Sequence, residues 1–308
     1  MKNLVTRRSF LNHTLRSGLV LAGAGWLAPS VARAVEPIQR AGQPRLHLSL
    51  AAYSFRQFFT RADPARRITL ENFVDFCADQ GCVGTELTSY YFPEGFGRDY
   101  LVQLKRHAFL RGVAISGSAV GNNFALPEGS KRDEQIAHVK RWIEHCAVLG
   151  APHIRVFAGP AQGLEVATAK RLCIAALEEC CDYAGRHGIL LGLENHGGIV
   201  AEPQDLLEIV RAVRSPWLGI NLDTGNFHTE DPYADLARCA PYAVNVQIKV
   251  ELQRRGQKAR EVSDLPRLVK LLRDANYQGY VALEYEAKED PWKAVPEWLE
   301  KMKAAFAA

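Results

Sequence analysis

From about residue 46 onward the chain alternates short apolar runs, polar clusters and amphipathic stretches. The apolar runs are LHLSLAAYSF from 46, CVGTELTSYY from 82, GVAISGSAVG from 112 and PHIRVFAGP from 152. They continue with GILLGLENHGG from 188, WLGINLDTGNF from 217, AVNVQIKV from 243 and GYVALEYE from 279. Between them, LENFVDFCADQG (70–81), DEQIAHVKRWIEHCAVLG (133–150) and LPRLVKLLRDANYQG (265–279) place apolar residues three and four apart. That is the period of a helix buried along one side, and the closing glycines suit helix C-termini. Strand and helix in strict alternation predict parallel strands joined by helical crossovers. Eight such units predict a closed (β/α)8 barrel over 46–308, a single α/β domain, rather than an open sheet. The absence of a GxGxxG after the first run argues against a dinucleotide fold. VEPIQRAGQPR (35–45) reads as a linker.

Charge changes the picture only at the N-terminus. The chain carries a net +4, but Lys2, Arg7, Arg8, Arg16 and Arg33 fall within residues 1–34 with no acid. Setting those five aside leaves −1, a balance that gives no support for an electrostatic nucleic-acid footprint. TRRSFL (6–11), the weakly apolar SGLVLAGAGWLA and ARA (32–34) predict a twin-arginine-type export signal over residues 1–34. It is too short and too rich in Gly and Ala for a membrane span. A periplasmic product with no stable membrane insertion is the expectation, with the export machinery as its transient partner. The seven cysteines form no CxxC pair and sit in helical patterns, so buried thiols are expected.

Active sites of such barrels lie at the C-terminal ends of the strands. Those ends here carry Tyr53, Glu86, Asn122, Asn123, Arg155, Glu194, His196, Asp223, Gln247, Lys249 and Glu284. Side chains alternate along a strand, so Glu194 shares a face with Gly192, Asp223 with Asn221 and Gly225, and Gln247 with Lys249. Glu194, Asp223, Gln247 and Glu284 come from four adjacent strands, and three carboxylates in one pocket repel unless a cation neutralises them. The expectation is one divalent metal on these four oxygen donors, Mn²⁺ or Mg²⁺ first, then Ca²⁺ or Zn²⁺. His196 is placed to hold a substrate hydroxyl or a ligand carboxylate. Arg155 is placed for a ketose oxygen, or for an ion pair with Glu194 or Glu86. Lys249 suits an enolate or a buried ion pair, and Tyr53, Phe55 and Tyr91 an apolar wall against a sugar ring.

LENHGG, NLDTGNF, VQIKV and VALEYE make the chain resemble the xylose isomerase-like TIM barrels. That group includes sugar-phosphate isomerase/epimerase-like proteins, ketose 3-epimerases, inosose isomerases and dehydratases, and endonuclease IV. The resemblance implies a metal on Glu194, Asp223, Gln247 and Glu284, with Glu194 and Glu284 also moving the proton as a catalytic pair. It implies a carbohydrate substrate and proton abstraction next to a carbonyl. Elimination on 3-keto-glycosides, or a non-catalytic sugar-binding barrel, are the other outcomes. Sparse histidines and the −1 balance argue against the nuclease branch. Three positions depart from the motifs: Gln247 stands for a His, Val250 for an acid, and Asn226 for a His that recurs as His228.

Overall fold

Each of the eight apolar runs forms one parallel strand, because its outward alternate residues are Leu, Ile and Val that a helix layer covers. The computed structural model describes residues 35–308. The strands are β1 (Arg45–Ala51), β2 (Gly84–Thr88), β3 (Ala114–Ala119), β4 (His153–Val156), β5 (Leu190–Glu194), β6 (Leu218–Asp223), β7 (Ala243–Ile248) and β8 (Gln278–Leu283). They close in the order β1-β8-β7-β6-β5-β4-β3-β2. The helices that follow them in turn are α1 (Leu70–Asp79), α2 (Arg98–Leu110), α3 (Ser130–Leu149), α4 (Val166–Arg186), α5 (Pro203–Ala212), α6 (Pro232–Cys239), α7 (Leu265–Asp274) and α8 (Pro291–Ala307). Leu191, Leu193, Ile220, Leu222, Val246, Ile248, Val281 and Leu283 are buried between the two layers. This is the (β/α)8 barrel that the alternation predicts.

Local chemistry sets where the helices begin. Thr69 and Asn72 form a reciprocal capping box at α1, and Asp231, Asp264 and Asp290 cap α6, α7 and α8 just ahead of a proline in the first turn. All seven cysteines are free and buried, as expected. Among the described residues no helix is long and apolar enough to cross a membrane. The expected export signal, residues 1–34, lies outside the described residues.

The segment expected as a linker is docked. The Val35 and Ile38 amides donate to the Val213 and Pro241 carbonyls. Arg40 donates to the Ala243 carbonyl at 2.5 Å and lies over the Tyr277 ring. Asn276 and Gln278 donate back to the Arg40 and Ala41 carbonyls. Residues 35–44 thus strap the N-terminal end of the barrel, away from the chemically loaded end. After β7, Glu251–Leu252 pairs antiparallel with Glu261–Val262, a short ribbon beside the barrel mouth.

Two irregularities position the site. The strand register shifts between Thr85 and Glu86 on β2 and between Ile220 and Asn221 on β6. In each the extra residue stands on the partner strand, Ser116 on β3 and Val244 on β7, so the side chains re-aimed are those that follow them, Gly117 and Asn245.

Candidate functional site

Glu86, Glu194, Asp223 and Glu284 all project into the C-terminal end of the barrel, and all are buried. The strand register sets Glu194 beside Asn221, Asp223 beside Gln247, and Gln247 beside Ala282, two residues before Glu284. Asn195 fastens β5 to β6 by accepting from the Asp223 amide at 2.9 Å and donating to the Asp223 carbonyl at 2.8 Å. Thr224 does the same for β7: its hydroxyl accepts from the Lys249 amide at 2.9 Å. Gly225 is required beside it, because a Cβ there would come within 2.6 Å of Lys249 Cγ.

Two cations sit among the carboxylates. Arg155 Nε lies 2.8 Å from Glu194 Oε2, its Nη1 donates to the Val120 carbonyl at 2.9 Å, and its guanidinium stacks on Phe157. Lys249 Nζ donates to Glu284 Oε2 at 2.5 Å, bonds Glu286, and lies 3.3 Å from Asp223 Oδ2. Among the described residues that Asp223 oxygen has no hydrogen-bond partner, and it faces the Lys249 ammonium. Both cations are held in ion pairs.

Gln247 is engaged on both sides. Its Oε1 accepts from Asn221 Nδ2 at 2.6 Å and its Nε2 donates to Glu86 Oε1 at 2.7 Å. Asn245 Nδ2 closes the circuit, donating to Asn221 Oδ1 and to Glu86 Oε2, each at 2.8 Å. Glu86, Gln247, Asn221 and Asn245 therefore form a closed ring of buried hydrogen bonds linking β2, β6 and β7. Asn221 and Asn245 lie on the inward parity of their strands, which is the signal that reaches them from sequence.

The four expected ligands face one pocket, and each is engaged by a protein partner there. Glu194 faces Arg155 and accepts from Asn226 Nδ2 at 3.0 Å. Asp223 and Glu284 face one ammonium, and the Gln247 carbonyl is turned to an amide. Among the described residues no group of three His, Cys, Asp or Glu is arranged to hold a metal ion. The donor set does not fit a divalent ion, because protein cations already stand where the charge had to be neutralised.

Burial and neighbours push the carboxyls apart. Burial raises Glu194 to about 7 against the pull of Arg155, and Glu284 adds to the rise. Burial also drives Asp223 well above the usual range, with Lys249 opposing. Glu284 goes the other way: burial would raise it, but Lys249 in direct contact holds it below the ordinary carboxylate value. Glu86 rises to about 8, chiefly through burial and then the Glu284 charge.

The remaining expected residues lie at the rim. His196 is exposed above Phe157, ring centres 4.5 Å apart, and desolvation and Arg155 lower its pKa. Tyr53 is half-buried under Arg56. Tyr91 stacks on Phe59 at 4.4 Å. Phe55 is not part of a wall: it is fully buried against Phe58, Phe73, Phe76 and Trp292. A cavity of about 50 Å³, lined in part by Gly225, Asn226, His228, Lys249, Arg260 and Glu286, opens beside the ammonium.

A family model described as "Xylose isomerase-like TIM barrel" matches residues 74–302. No curated protein matches the chain. Among solved structures, a D-psicose 3-epimerase crystallised in the presence of D-fructose is 17% identical, with TM-score 0.68 over 85% of this chain and 97% of its own. A 3-keto-D-glucoside 4-epimerase from E. coli is 16% identical, with TM-score 0.65 over 84% of this chain and 100% of its own. The IolI protein with a bound zinc atom is 18% identical, with TM-score 0.67 over 84% and 96%. These likenesses show a common fold.

Proposed function

Because the chain belongs to the xylose isomerase-like TIM barrel family, we propose that it isomerises or epimerises a keto-sugar by moving a proton next to the carbonyl. The observation that carries this reading is the split between two buried carboxyls. Lys249 keeps Glu284 ionised, while burial lets Glu194 hold a proton near neutral pH. Two acids pushed apart by their surroundings are the requirement for a base and an acid in one pocket. The epimerases among the similar structures agree with such chemistry.

In this reading Glu284 takes the proton from the carbon acid, and the electron pair moves onto the carbonyl oxygen as an enolate. That oxygen replaces Glu286 at Lys249, since Glu286 is the most exposed of the three carboxylates around the ammonium. A preorganised cation at the developing oxyanion lowers the barrel's barrier to enolisation without reorganising solvent. Glu194 then delivers its proton to the opposite face of the same carbon, giving the epimer; it gives the isomer by protonating the former carbonyl carbon, once the adjacent hydroxyl has passed its proton to the enolate oxygen and become the new carbonyl. His196 and Arg155 orient the hydroxyls.

The test is turnover of ketoses and 3-keto-glycosides in D₂O. Deuterium should enter at the carbon next to the carbonyl. Glu284→Gln and Glu194→Gln should each lower turnover by at least about 10²-fold, the lower range for a lost acid or base. Full activity in both variants would refute the reading.

A further inference from the structure

Four features fix charge compensation at the strand ends. Lys249 Nζ stands between two of the expected ligands, 3.3 Å from Asp223 Oδ2 and 2.5 Å from Glu284 Oε2. Its place is built in: Thr224 holds its backbone amide, and Gly225 clears the path of its side chain. Glu194, the third carboxylate, is occupied by Arg155 and Asn226. Gln247, the fourth donor, is locked by the hydrogen-bond ring with its carbonyl on Asn221 and its amide on Glu86. To reach an ion it would have to break that ring and strand buried polar groups, an outcome disfavoured by their desolvation.

We propose that the Lys249 ammonium is the resident counter-ion of this site and stands in the place of a divalent metal, so that the folded protein binds none at its four strand ends. A divalent ion on Asp223 and Glu284 would lie within a few ångströms of the ammonium, in a buried setting where like charges repel strongly. One cation excludes the other. The inference concerns the same site as the proposed reaction but is measured without a substrate, so either can fail alone.

The experiment is elemental analysis and thermal melting of the protein purified from Mn²⁺-supplemented cells. The wild type should hold far less than one metal per chain, and neither Mn²⁺ nor EDTA should move its Tm. One tightly held divalent ion per chain, or a Tm that Mn²⁺ raises, would overturn the proposal. The reverse experiment combines Lys249→Met with Gln247→His. Removing the ammonium and supplying an imidazole should create a saturable, Mn²⁺-dependent rise in Tm, because the ion then binds the folded state alone. A folded double variant indifferent to Mn²⁺ would also count against the proposal. Should that variant fail to fold, the wild-type measurement decides by itself.

Discussion

At the scale of single residues, the site is a set of buried carboxyls each answered by a specific partner. Strand parity in the sequence reaches Glu194, Asp223, Lys249 and Glu284 as inward-facing, and reaches both outcomes for Arg155 and Lys249. What it does not reach is the occupation of Gln247, because the register shift before Asn221 is what sets Asn221 abreast of Asn245, and no local pattern encodes it. Glu86 is the titratable member of that ring, whose hydrogen bonds oppose the effect of its burial. Its carboxyl is pushed up to about 8 by burial, so the folded protein keeps a proton that the unfolded chain has already released above the ordinary carboxyl range. Stability from this group is therefore greatest at the acid end and falls as pH climbs toward about 8, by on the order of a few kcal/mol. Glu194 adds to the same slope. Melting curves taken between about pH 5 and pH 8 should show a shallower decline in Glu86→Gln than in the wild type; parallel declines would mean that Glu86 ionises normally in the fold.

At the scale of elements, all eight strands and the three quoted helical patterns lie where the periodicity puts them. The ribbon of Glu251–Leu252 and Glu261–Val262 is the exception, since two-residue strands carry too little pattern to read. It matters because its residues line the cavity beside Lys249. The ribbon is held in part by exposed side chains, Arg254 to Glu261 and to the Glu230 carbonyl, and Arg255 to Glu202. Replacing both arginines with alanine should hasten tryptic cleavage after Lys258 and Arg260 while costing under about 1 kcal/mol of stability. Cleavage at the wild-type rate would show that the ribbon is held by something other than these ion pairs.

At the scale of the whole molecule, the strap of residues 35–44 is the part least legible in the sequence. Its composition is that of a linker, and only the distant partners it meets, Val213, Pro241, Ala243 and Tyr277, give it a fixed place. Arg40→Ala should lower stability by about 1–3 kcal/mol in denaturant titration, the cost of leaving a buried carbonyl unpaired. A smaller effect would make the strap an accessory rather than a fastening. The same end of the chain bears on how the barrel comes into being. β1 shares six register pairs with β8 but only three with β2, so its principal neighbour is the last strand to leave the ribosome. At usual rates of synthesis that neighbour arrives on the order of tens of seconds later. Throughout that interval the first strand offers an open edge to any other nascent chain. Closure therefore follows translation, and the hazard of misassembly falls on the half of the protein that is made first.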